Sequence, residues 1–167
     1  MKCLLLFLLM ILGGLNLPVK AFELQTQLRG AGTYRWFFLD VYDAQLWGPI
    51  VNNFYDHPLS LELKYKRNFK GDEIMKQTIQ ELVSAGVDLK INQGQIDELK
   101  KIIPDVQKGD SLRANYWPQK GLQFTLNSTK DLGLLKDKEF SKLFLDIWLG
   151  EKTSDPVLRD KLLGKKQ

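Results

Sequence analysis

The hydrophobic pattern of this chain changes period three times, and that succession narrows the possible folds more than any other feature. Leu24, Thr26 and Leu28 alternate with Gln25 and Gln27, the two-residue repeat of a half-buried strand. Gly30-Ala31-Gly32 is expected to turn the chain. Thr33–Leu39 and Asp40–Trp47, rich in aromatic and β-favouring residues, predict one or two further strands. Leu61, Leu63 and Tyr65 alternate with Glu62, Lys64 and Lys66, one dry face and one wet. The period then lengthens. Ile74, Met75, Thr78, Ile79, Leu82 and Val83 recur at helical spacing after Gly71-Asp72, and Gly86 supplies a left-handed stop. A second helix is expected from a cap at Asn92, with Ile96, Leu99, Ile102 and Ile103 on one face and Pro104 as its end. Strands return as a hairpin, with Leu112, Ala114 and Tyr116 before the turn Pro118–Gly121 and Leu122, Phe124 and Leu126 after it. Phe140, Leu143, Phe144 and Ile147 mark a last long helix closed by Gly150, and Ser154-Asp155-Pro156 opens a short one. Strands grouped early and late, with helices between and after, predict an α+β fold in which one face of an antiparallel sheet is covered by helices.

The N-terminus is a different kind of segment. Lys2 precedes the apolar run Leu4–Leu12, which breaks at Gly13-Gly14 and meets Asn16 and Pro18. One cation and about ten apolar residues have the form of a secretory signal, whereas a spanning helix needs about 20. Val19-Lys20-Ala21 suits cleavage after Ala21, so residues 1–21 are expected to be a signal peptide and 22–167 a single mature domain; the competing reading is an uncleaved anchor. The expected location is periplasmic or secreted, with no integral membrane segment after cleavage. Cys3 lies ahead of the apolar run, so it is not the cysteine that follows a lipoprotein signal, and it leaves with the signal.

Composition excludes several classes. The full chain carries 24 basic and 20 acidic residues. Lys2 and Lys20 depart with the signal, leaving 22 against 20, a mature charge of +2. That is no basic stripe, so nucleic acid is not an expected partner. The single histidine, His57, precedes Pro58 in a polar turn, and no His/Cys cluster exists to bind zinc or haem. No Asp-rich calcium loop, nucleophile elbow or phosphate-binding Gly loop is present. No cofactor and no metal are expected. Lys64, Lys66, Arg67 and Lys70 form a charge cluster, read as a solvated face with a weak membrane-surface role as its alternative. Asn127-Ser128-Thr129 is a glycosylation sequon that would matter only on a eukaryotic secretory route.

Several segments together resemble a family. Gly30-Ala31-Gly32 followed by Phe37–Trp47, the strand Leu61–Arg67 with its following helix, Lys108-Gly109-Asp110 leading into the Tyr116/Gly121 hairpin, Phe144–Gly150 and Leu158–Gly164 are similar, in order and spacing, to the chalcone isomerase-like proteins, closest to their bacterial exported branch. The resemblance implies an open-faced β-sandwich, a large antiparallel sheet with a layer of helices on one face. It also implies a sheet–helix cleft with two uses, ring closure of a polyphenol by the plant enzymes and fatty-acid binding by non-catalytic relatives. Both uses place a forked guanidinium and a hydroxyl in an apolar cleft to meet a carboxylate or phenolate-like oxygen.

On that basis Tyr42 matches the family hydroxyl, as tyrosine in the binders and threonine in the enzymes. The family arginine position, counted from Gly32, falls on Tyr34, and Arg35 stands one residue further. Either a local bulge turns Arg35 inward or that arginine is absent, because a one-residue offset reverses the face of a strand. Tyr65 and Arg67, two apart, share a face and could line the cleft entrance. Tyr116 points inward by alternation. The candidate ligand-binding residues are therefore Arg35, Tyr42, Tyr65, Arg67 and Tyr116, and no catalytic set can be assigned. The expectation is a non-catalytic binder of a small amphipathic or anionic, fatty-acid-like ligand. The alternatives are a chalcone isomerase-type intramolecular lyase acting on an enone, and an interaction domain whose cleft is filled by its own side chains, its protein partner unknown.

Overall fold

A computed structural model describes residues 27–165. The expected signal segment, and the residues before Gln27 in the first expected strand, lie outside them. Six strands, β1 (Leu28–Trp36), β2 (Leu39–Trp47), β3 (Leu59–Tyr65), β4 (Ser111–Trp117), β5 (Gly121–Leu126) and β6 (Lys130–Leu135), form one antiparallel sheet in sequence order. Four helices, α1 (Gly71–Ser84), α2 (Gln93–Ile102), α3 (Lys138–Leu149) and α4 (Pro156–Leu162), pack on one side of it.

Strand alternation decides which side. Leu46, Leu61, Ala114 and Phe124 stand opposite one another across four strands and are buried under the helices. One residue along, Gln45, Glu62, Arg113 and Thr125 form the matching row on the bare face, where Arg113 pairs with Glu62. A polar row beside an apolar row is what a sheet covered on one side requires. Each buried Leu or Phe contributes roughly 1.5–3 kcal/mol relative to exposure, and this single apolar layer holds the fold without a disulfide.

Helix ends follow the local chemistry. At α1 the Lys70 amide donates to the Glu73 carboxylate at 2.8 Å, and Gly86 takes the left-handed stop at φ 90. Asp137 caps α3 by accepting from the Phe140 amide at 2.8 Å, and Asp155 caps α4 by accepting from Leu158 at 2.9 Å, with Pro156 in the first turn. Asn92 precedes α2 without capping it; its amide instead donates to the Asp88 carbonyl.

Two expectations are corrected. Gly30 and Gly32 do not turn the chain; they lie inside β1, which α4 crosses closely. A Cβ on Gly30 would collide with the Lys161 carbonyl, and one on Gly32 would stand 2.7 Å from the Leu158 side chain. The glycines admit a helix rather than bend a strand. The turn comes later, at Phe37-Phe38 between Trp36 and Leu39. The sixth strand, Lys130–Leu135, was not foreseen; Asn127 and Ser128, both at positive φ, turn the chain back into it.

Candidate functional site

A cavity of about 410 Å³ opens between the sheet and the helical layer, at the end of the sheet where β2 and β3 carry Tyr42 and Tyr65. Its floor is aromatic. The Tyr34 ring stacks on Tyr42 with centroids 5.1 Å apart, Tyr42 meets Tyr65 edge-on at 5.9 Å, and Tyr65 meets Phe69 at 5.9 Å. These side chains come from adjacent strands in register, Tyr34 opposite Tyr42 and Tyr42 opposite Tyr65. The roof is built by Ile74 and Thr78 of α1 together with Phe144, Ile147 and Trp148 of α3. Such a volume, mostly apolar with a few polar groups, is the ordinary form of a small-molecule site.

Three polar features stand out. The Tyr42 oxygen accepts from the Trp148 indole N–H at 2.9 Å, which fixes the ring and leaves the phenolic proton free to donate. Burial pushes the Tyr42 pKa far above its ordinary range, as it does that of Tyr65, so both remain protonated donors at any physiological pH. The Tyr65 hydroxyl has no hydrogen-bond partner among the described residues although its ring is buried. The lining also holds Arg67 and three carboxylates, Glu73, Glu81 and Asp155, two of which already cap helices. Arg67 makes no ion pair among the described residues and is the only basic side chain in the lining. Tyr34 lies nearer the acids, and its pKa is raised by burial first and by Glu81 and Asp155 after that.

Of the residues singled out from sequence, Tyr42, Tyr65 and Arg67 are brought to this cavity. Arg35 is not. A bulge does exist here, but Val41 of β2 is the extra residue, since Tyr34 faces Tyr42 while Arg35 faces Asp40. Only an insertion on its own strand could have reversed Arg35. It points out of the bare face, its side chain 64% exposed, and pairs with Asp40 at 2.6 Å. The role implied for it, meeting a carboxylate or phenolate-like oxygen in the cleft, has no geometry to act through. Tyr116 is also displaced. It faces the helices, as alternation predicts, but pairs with Leu59, six residues and about 20 Å along β3 from Tyr65. There it is buried in the core against Tyr55, its hydroxyl unpartnered among the described residues.

The residues that sequence reasoning missed are Tyr34, Trp148 and the acids of the lining. Trp148 was within reach, since it lies four residues after Phe144 and so on the same helical face. Glu81 and Asp155 carried no such signal, because each is one acid among many until the helices are docked.

The comparisons with known proteins agree with this architecture. No curated protein matches the sequence. Among solved structures, a fatty-acid binding protein of Arabidopsis thaliana superposes with a TM-score of 0.63 over 83% of this chain and 87% of its own, at 14% identity. That likeness is one of fold. The sequence model described as chalcone isomerase-like matches residues 15–164, nearly the whole length and every element of the sheet and helical layer, and the chain therefore belongs to the chalcone isomerase-like family.

Proposed function

We propose that this protein is a non-catalytic binder of a small amphipathic, fatty-acid-like molecule. The observation that carries the reading is the apolar cavity in which two buried phenols, Tyr42 and Tyr65, keep donor protons unspent. A hydrocarbon chain gains roughly 25 cal/mol for each Å² it buries against such a lining. The phenols offer a carbonyl or carboxylate oxygen the hydrogen bonds it loses on leaving water. Arg67 supplies the one positive charge for an acid headgroup, in place of Arg35. The fatty-acid binding activity of the structural neighbour supports the same ligand class.

In this proposal the protein works beyond a membrane, as a member of the exported bacterial branch, with Lys2 and the run Leu4–Leu12 as its export signal. N-terminal sequencing of the mature protein should then begin at Phe22; a chain still starting at Met1 overturns that part.

The ligand reading is tested by denaturing the purified protein and analysing released acyl compounds by mass spectrometry, alongside titration with dansyl-undecanoic acid. Wild-type protein should bind the probe, and Tyr42→Phe should weaken binding about fivefold, the worth of one neutral hydrogen bond. No released ligand and no probe binding would end the proposal.

A further inference from the structure

The tip of the β1–β2 hairpin is a run of three aromatic side chains in water. Trp36 is 60% exposed, Phe37 82% and Phe38 87%, the densest group of exposed large apolar residues on the described surface. Solvent-facing loops are seldom built this way, and the turn itself is unusual. Phe37 holds φ at 55, a left-handed conformation that bulky residues avoid and that glycine would adopt without strain. Glycine would serve the turn better, so the two phenylalanines answer a need outside the fold. Trp36 and Phe37 meet edge-on, with centroids 5.1 Å apart, which makes the tip a preformed wedge.

Its position supplies the second argument. Trp36 and Leu39, on either side of the turn, also line the cavity, so the wedge forms one lip of the opening. Near it stand Arg35 and Lys66, and the cavity lining it borders holds Arg67 together with the acids Glu73, Glu81 and Asp155. The first two are balanced by Asp40 and Asp43, while Arg67 makes no ion pair among the described residues. A projecting aromatic tip with a tryptophan at its base, on the lip of an apolar cavity, matches the interfacial layer of a bilayer, where indole rings favour the headgroup level.

We propose that the Trp36–Phe38 tip inserts into the interfacial layer of a phospholipid bilayer and brings the mouth of the cavity against the membrane, so that an amphiphile passes between bilayer and cleft without crossing water. This rests on the amphiphile reading of the cavity. It gives the cavity a reservoir and the exposed tip a purpose, and commits the tip to a lipid surface rather than to a protein.

The test is co-sedimentation of the full mature protein with phosphatidylcholine vesicles, with and without phosphatidylglycerol, comparing wild type with a Phe37→Gly/Phe38→Ser variant. Neither residue lines the cavity, and glycine suits the backbone at position 37, so the variant should fold and still bind dansyl-undecanoic acid with unchanged affinity. Wild type should partition onto both kinds of vesicle, with a blue shift of tryptophan emission from Trp36. The variant should partition at least about tenfold less, while an Ile91→Ser control, removing a distant exposed apolar residue, should partition like wild type. Equal partitioning of wild type and double variant overturns the proposal, as does wild type that ignores both kinds of vesicle. So does a wild-type dimer in light scattering that the double variant abolishes without any vesicle binding, which would make the tip a self-association surface. Loss of dansyl-undecanoic acid binding in wild type would instead strike the cavity reading, and vesicle binding would remain to be scored by itself.

Discussion

The helix-facing side of the sheet has two ends built on one alternating pattern, and they come to opposite results. At one end Leu59, Tyr116, Leu122 and Leu135 stand in register and are fully buried. The Phe54–Asp56 turn and α3 close over them, with the Tyr55 hydroxyl donating to Asp146 at 2.6 Å. At the other end Tyr34, Tyr42 and Tyr65 stand in register just as well, yet α1 and α3 leave a cavity above them. Alternation therefore selects the inward face but not whether that face becomes core or pocket. The helical cover decides that, through residues distant in sequence.

Five substitutions can break or sharpen this contrast. The largest effect is expected at the filled end, where Leu122→Ala should destabilise by about 3 kcal/mol in urea unfolding, because it hollows a close-packed site. Ile74→Ala at the open end should cost less than ~1 kcal/mol, since it enlarges a cavity already present; equal costs would abolish the distinction. Next, Arg67→Ala should lower affinity for a fatty acid about tenfold, the worth of a charge-assisted hydrogen bond, with little change in stability.

A smaller effect belongs again to the filled end. Asp137 caps α3 and also accepts from Gln95 at 3.0 Å, and the Phe140 amide first, then Gln95, hold its pKa below the ordinary aspartate range. Its native pKa is depressed, so its contribution is present above the unfolded value and lost as pH falls through the folded one. Asp137→Ala should then cost about 1 kcal/mol near neutrality, and the gap from wild type should close on acidification below about pH 4, followed by unfolding at several pH values. Smallest of all is Arg35→Ala. It should leave probe affinity unchanged and alter stability by no more than ~0.5 kcal/mol, as expected of an exposed pair. A clear loss of affinity there would mean that the outer face takes part in binding.

How much of this was legible in the sequence depends on whether a residue's surroundings are local. The inward faces of β3 to β5 follow from period-2 alternation, and the ends of α1 and α3 and the start of α4 from Gly86, Gly150 and Asp155 with Pro156. Tyr65 and Arg67 both line the cavity, although Arg67 lies two residues beyond the end of β3. Three features were hidden. The glycines of β1 look like a turn until α4 is laid across them, β6 does not alternate and is interrupted by Gly133, and the extra residue at Val41 depends on pairing between strands. Alternation along β1 carries Arg35 to the face opposite Tyr34 and Tyr42, so the site was readable in its phenols and not in its guanidinium.

The seating of α4 on Gly30 and Gly32 joins the first described strand to the last helix, and Leu158 of that helix is also part of the cavity wall. A ribosome delivering this chain would release the whole sheet before the piece that finishes the pocket. Contacts spanning such a distance form late, because the intervening loop must close first. A chain that has lost its final dozen residues would thus keep most of its scaffold and have no chamber to fill. Closure of the cavity wall waits on α4, an element made after every strand of the sheet it seals.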